Sequence, residues 1–230
     1  MAQLSKHNFT FLEDLEKNNN RDWFQANKPI YEKNHKELIA FADDVLSRLR
    51  EHDMIETESG KKSLFRIYRD VRFSKDKRPY KTHWSGGFKR ATKLRRGGYY
   101  FHIQPGGNSM VGGGFWDPNK EDLQRIREEI AMDASELREI LADKTFVKTF
   151  GSLEGEQLKR APKGFDPDHE NIDLLRYKQF VFFRNFTDAE VLAPDFAAKL
   201  DECFRAMRPF FNYMSEVLTT DANGVPLYDE

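Results

Sequence analysis

The chain has one cysteine, Cys203, so it forms no intrachain disulfide and no cysteine-based zinc site. It has no apolar run near the ~18 residues that a membrane-spanning helix needs. The opening Met-Ala-Gln-Leu-Ser-Lys-His carries no hydrophobic leader segment. Together these absences predict a protein of the reducing cytoplasm with no membrane partner. No histidine pair stands at helical metal spacing and no facial-triad pattern occurs, so no metal and no cofactor are expected. Internal repeats and low-complexity linkers are missing too, which predicts a single domain over residues 1–230. Its oligomeric state is not readable.

What the chain has in quantity is charge and phenylalanine. Charged residues make up 33% of it against 39% hydrophobic, the balance of a globular protein with a well-solvated exterior. Twenty Phe point to a core built on large rings. The charge is unevenly spread. From Lys61 to Arg96 there are fourteen Lys and Arg against two acids, Asp70 and Asp76, a local balance of +12 in a chain whose total is −1. Such segregation marks a surface or a site where an anion would go.

The periodicity predicts an α+β fold, a mainly antiparallel sheet packed against long N- and C-terminal helices. Thr10 with Glu13 reads as a capping box ahead of Phe11, Leu12 and Leu15. After a break at Asn18-Asn19-Asn20, Pro29 suits the first turn of a long helix whose apolar positions include Leu38, Phe41, Val45 and Leu49. The middle of the chain changes period. Phe65, Ile67, Arg69, Val71 and Phe73 alternate with Arg66, Tyr68, Asp70 and Arg72, a strand pattern. His83–Phe88, Tyr99–Gln104, Met110–Trp116 and Phe180–Phe186 are further strands. A helix follows Pro194, with Phe196, Leu200, Phe204, Met207, Phe211 and Met214 on one stripe.

On the expected strand, Arg69 shares a face with apolar residues, so it either closes an internal salt bridge or reaches a ligand. The opposite face offers Arg66 and Arg72 with Tyr68 and Asp70 between them, a clamp for phosphate or carboxylate or else a solvated strand face. The Ser74–Lys81 loop adds Lys77, Tyr80 and Lys81, without the spacing of a Walker phosphate loop. His83 and His102 are the histidines of the strand-rich region. If the Tyr100/His102/Gln104 face meets the Arg66/Asp70 face, imidazole, carboxylate and guanidinium converge, a set sufficient for acid–base chemistry. In that arrangement Asp70 orients an Arg or acts as base, and His83 or His102 stands nearest the chemistry. Taken alone, each histidine is better explained by a structural hydrogen bond. Gly112-Gly113-Gly114 inside a strand pattern is explained by close approach of a ligand or another backbone, and as well by a bulge or a tight helix crossing.

The run Arg66-x-x-Arg69-Asp70-x-Arg72-Phe73-x-x-Asp76-Lys77-x-Pro79-Tyr80-Lys81 resembles the signature of the DUF2461 family, bacterial proteins of about this length with fungal relatives. Asn19-Asn20-Arg21-x-Trp23-Phe24, Tyr99-Tyr100-Phe101-His102-Ile103-Gln104-Pro105-Gly106-Gly107 and Leu158-Lys159-Arg160-Ala161-Pro162-Lys163-Gly164-Phe165 extend the likeness over nearly the whole chain. The resemblance implies no activity. Three readings of the function stay open. One is binding of an anionic small molecule, phosphorylated or carboxylated, with or without chemistry on it. Another is nucleic-acid binding through the 61–96 segment, with Trp84, Tyr99 and Tyr100 as stacking groups. The third is an interaction module without a small ligand.

Overall fold

Ser5 is extended, and the chain then coils into α1 (Lys6–Lys17). Thr10 lies inside this helix with its hydroxyl bonded to the Lys6 carbonyl at 3.2 Å, so the expected capping box is not there and the helix starts earlier. Asn20 caps α2 (Arg21–Ala26) by accepting the Trp23 N–H. Pro29 stands in the first turn of α3 (Lys28–Arg50), where a backbone N–H has no intrahelical acceptor to lose. Leu38, Phe41, Val45, Leu46 and Leu49 form the buried stripe of α3. Ser59 caps the short α4 (Gly60–Ser63).

Strands β1 (Trp84–Lys89), β2 (Gly98–Ile103), β3 (Ser109–Phe115) and β4 (Phe180–Phe186) form one antiparallel sheet in the order β1-β2-β3-β4. The first three are joined by connections that carry Gly97 and Gly106-Gly107, all at positive φ. Between β3 and β4 lie α5 (Lys120–Met132), α6 (Ser135–Ala142), α7 (Lys144–Phe150) and α8 (Ile172–Leu175). After β4 come α9 (Asp188–Val191) and α10 (Phe196–Thr219). The α+β class stands. The computed structural model describes residues 2–221 and 224–228. Among them no helix is long and apolar enough to cross a membrane.

Packing divides the chain into two compact units. The first takes Met1–Phe88, Tyr100–Val111 and Asn185–Glu202. In its core the Phe41 ring stacks on Phe196 at 5.5 Å and meets the edge of Phe101 at 6.2 Å. The second takes Lys89–Tyr99, Gly112–Arg184 and Cys203–Glu230. Its core gathers Phe146, Phe150 and Phe210 around Phe182, with centroids 4.8–5.1 Å away. The glycine run belongs to this second packing. A Cβ on Gly113 would stand 2.7 Å from the Phe211 ring, and one on Gly114 only 2.1 Å from the Phe180 carbonyl oxygen. Gly114 also has φ +121°, a backbone conformation that a side chain opposes. Close approach within the chain, rather than a ligand, accounts for these two positions.

The expected strand over Phe65–Val71 does not form. Leu64 bridges Gly86 and the Phe65 N–H reaches the Ser85 carbonyl, after which the chain leaves the edge of β1. It pairs instead with its own continuation. Tyr68 bridges Tyr80, the Arg69 N–H donates to the Pro79 carbonyl, and the Lys81 N–H donates to the Ile67 carbonyl. Pro79 has no N–H to give, so this ladder stops there. The supposed apolar face is not one, because Ile67 is buried while Phe65 is 51% and Phe73 96% exposed. The deeply buried guanidinium is Arg90, at 1% exposure. It donates to the Arg96 carbonyl, the Ser215 hydroxyl and the Asn212 amide oxygen.

Candidate functional site

Residues 70–78 form a loop whose charges are largely spent on one another. Asp70 accepts the backbone N–H of Arg72 at 3.2 Å and takes its guanidinium in a fork at 2.6–3.2 Å. Asp76 treats Arg78 in the same way, at 3.0 Å to the N–H and 2.8–3.1 Å to the guanidinium. Each fork is an Asp-x-Arg step in which the carboxylate turns the backbone and grips the following Arg. These bonds hold both carboxyls below the ordinary carboxylate range, Asp70 through Arg72 and Asp76 first through Arg78 and then through Arg69. Neither is poised to act as a base at neutral pH.

Arg69 closes the loop. Its guanidinium donates to Asp76 at 2.8 Å and to the Arg78 carbonyl at 3.1 Å. With 26% of its side chain exposed, it is a loop clasp rather than a dry core cation. Arg72 is withdrawn from the expected Arg66/Arg72 clamp by its fork with Asp70. The Lys77 ammonium caps the Val71 and Arg72 carbonyls. Tyr80 is buried, its ring stacked on Phe24 at 4.1 Å, so it belongs to the core.

Arg66, Lys81, His83 and His102 are left: Lys81 lies within electrostatic reach of both Arg66 and His83, and His83 packs on His102. Among the described residues, Arg66 and Lys81 have no carboxylate within ion-pair distance. The Lys81 ammonium lies 5.6 Å over the Phe65 ring. Burial, and then the charge of Arg66, push its pKa below the ordinary lysine value. A half-buried cation without a counter-ion is a costly arrangement that an anion would relieve.

Beside Lys81 the rings of His83 and His102 stack with centroids 4.1 Å apart. The two histidines have different surroundings. His102, on the partly exposed face of β2, is held at both nitrogens. Its Nδ1 lies 3.1 Å from the Tyr100 hydroxyl and its Nε2 2.8 Å from the Gln104 amide oxygen. Those partners assign the neutral tautomer with the proton on Nε2. Burial holds its pKa down. His83 has no hydrogen bond at either ring nitrogen among the described residues. Burial first, then His102, Lys81 and Arg69, drive its pKa down to about 3. It is therefore a neutral imidazole at pH 7 with its nitrogens available.

Tyr100 and Gln104 were visible as companions of His102 in the strand alternation, and the structure gives them that role. Phe65 was missed because the strand reading put it in the core. It lies 6.2 Å from the Tyr100 ring, stacked on it, and underlies Lys81.

A family model described as conserved hypothetical protein (DUF2461) matches residues 7–213. The chain belongs to that family. No curated protein matches it, and no solved structure does.

Proposed function

We propose that this protein binds a small molecule bearing a phosphate or carboxylate group at Arg66, Lys81 and His83, with the Tyr100–His102–Gln104 row as its floor. The observation that carries the reading is the unmatched positive charge. Lys81 is partly desolvated and Arg66 stands within electrostatic reach of it. Among the described residues neither has a carboxylate within ion-pair distance; Asp70, which feels the Arg66 charge, is forked to Arg72, and Asp76 to Arg78. An oxyanion seated here would meet an ammonium and a guanidinium. It would also reverse the balance at His83. The ring is kept neutral by burial and by neighbouring cations, so an anion favours its protonation and adds a third donor. Binding and proton uptake are then linked, and the protonated ring becomes the group placed to give a proton to the ligand.

Calorimetric titration of inorganic phosphate, sugar phosphates and nucleotides into the wild type and an Arg66→Gln/Lys81→Gln variant tests this, at two ionic strengths. The variant should lose at least about tenfold in affinity, as expected when charge-assisted bonds are removed. Wild-type binding should weaken with salt. Equal binding by both proteins would place the site elsewhere. The reading as a nucleic-acid binder has one observation of its own: Phe73 is almost wholly exposed, with the Arg72 guanidinium 5.8 Å from its ring centroid. Tight binding of single-stranded oligonucleotides, lost in Phe73→Ala and without small-phosphate binding, would favour it.

A further inference from the structure

Apart from this cationic cluster, the second unit has a cavity of the opposite sign. It measures 490 Å³ and is lined from α5 by Arg125, Glu128 and Glu129, from α6 by Glu136, and from α10 by Tyr213 and Glu216. Met132 and Val217 add apolar wall. A neighbouring cavity of 540 Å³ shares Glu136, Tyr213 and Glu216 with it. Arg125 donates to the Thr220 carbonyl, so its donors are partly spent on the chain itself.

Acidic side chains alone would be an ordinary solvated surface. Tyr213 makes the difference. It is only 6% exposed, and its hydroxyl has no hydrogen-bond partner among the described residues. The groups bearing on that hydroxyl are Glu129, Glu136, Asp133 and Glu216. A buried hydroxyl in native proteins finds a partner in the great majority of cases, and here, among the described residues, no carboxylate oxygen lies within hydrogen-bond distance of it. Burial first, then those four charges, raise the phenol's pKa well above its ordinary value, so it stays neutral. Glu129 is raised as well, by burial and then by Asp133, Glu216 and Glu136. Glu129, Asp133, Glu136 and Glu216 thus bear on one another and on the Tyr213 hydroxyl with charge of one sign, which a cation would relieve.

We propose that the cavity between α5, α6 and α10 binds an organic ammonium ligand of the aliphatic di- or polyamine class, whose N–H groups donate to Glu129, Glu136, Glu216 and the Tyr213 hydroxyl. Three observations favour this class over a metal ion. The carboxylates come from three helices, and among the described residues no three acids or histidines are gathered closely enough to ligate one ion. The volume exceeds what a single ion fills. The Tyr213 ring, Met132 and Val217 give a methylene chain apolar surface, and an aromatic face attracts ammonium.

The test is calorimetric titration of spermidine and putrescine, with magnesium chloride as comparison, into the full chain as wild type, Glu129→Gln/Glu216→Gln and Tyr213→Phe. Spermidine should bind the wild type and raise its melting temperature. The double variant should bind about tenfold or more weakly, because two charge-assisted bonds are removed, while its own melting temperature rises as repulsion is relieved. Tyr213→Phe should weaken spermidine severalfold without unfolding the protein. Absence of spermidine binding to the wild type, equal affinity in wild type and double variant, or magnesium binding as tightly as spermidine would each overturn the proposal.

Discussion

Acidification should cost this protein stability through His83, by an amount that can be worked out. The ring's pKa is driven from 6.5 down to about 3 by burial and then by His102, Lys81 and Arg69. The unfolded chain therefore takes up this proton near pH 6.5 and the native chain only near pH 3. The contribution is whole above pH 6.5 and is lost progressively as pH falls toward 3. The full shift is a ceiling of ~4–5 kcal/mol at ~1.4 kcal/mol for each tenfold change in acidity. Discounting by about half for the ring's partial exposure leaves ~2 kcal/mol. Urea unfolding at pH 7.5 and 4.5, in buffers free of phosphate and carboxylate, measures it. The wild type should lose ~2 kcal/mol more over that interval than His83→Gln, in which this proton site is gone and the other carboxylates and histidines are common to both. Identical losses would show that His83 titrates normally in the native state, and the electrostatic reading of the cluster would fail with it.

Arg90→Met should destabilise by ~3 kcal/mol or more in the same assay, since it removes three buried charge-assisted donations, to the Arg96 carbonyl, the Asn212 amide oxygen and the Ser215 hydroxyl. Gly114→Ala forces a Cβ against the Phe180 carbonyl at positive φ, and it should cost more than ~3 kcal/mol or abolish soluble expression; a stable variant would refute the close packing there. Arg69→Ala should leave the melting temperature nearly unchanged yet speed tryptic cleavage within 70–78, because it opens the loop clasp rather than a dry core pair.

The long helices and four of the expected strands were legible because each repeats a burial period over many residues: α3 through Leu38, Phe41, Val45 and Leu49, and β2 through Tyr99, Phe101 and Ile103. The 64–72 segment misled for a physical reason. Its alternation is genuine in spelling, but a strand needs a partner along its length, and Pro79 denies it one beyond the Tyr68–Tyr80 bridge. A different signal was present there, the twice-repeated Asp-x-Arg of Asp70–Arg72 and Asp76–Arg78. It marks two turns that consume their own charges, and it separates spent cations from available ones. The convergence of Lys81 and His83 with His102 depends on pairing across the sheet, which local pattern does not encode. Arg90 looked like one more cation in a basic run, and its burial rests on acceptors more than a hundred residues away in α10.

An anion that completes the Arg66–Lys81–His83 cluster should make His83 take up a proton. Proton NMR of the His83 ring at pH 5.5, followed while inorganic phosphate is added, measures this. The resonances should move saturably toward the imidazolium position in the wild type and stay at the neutral position in Arg66→Gln/Lys81→Gln. A His83 signal that ignores phosphate, or moves equally in both proteins, would contradict the account.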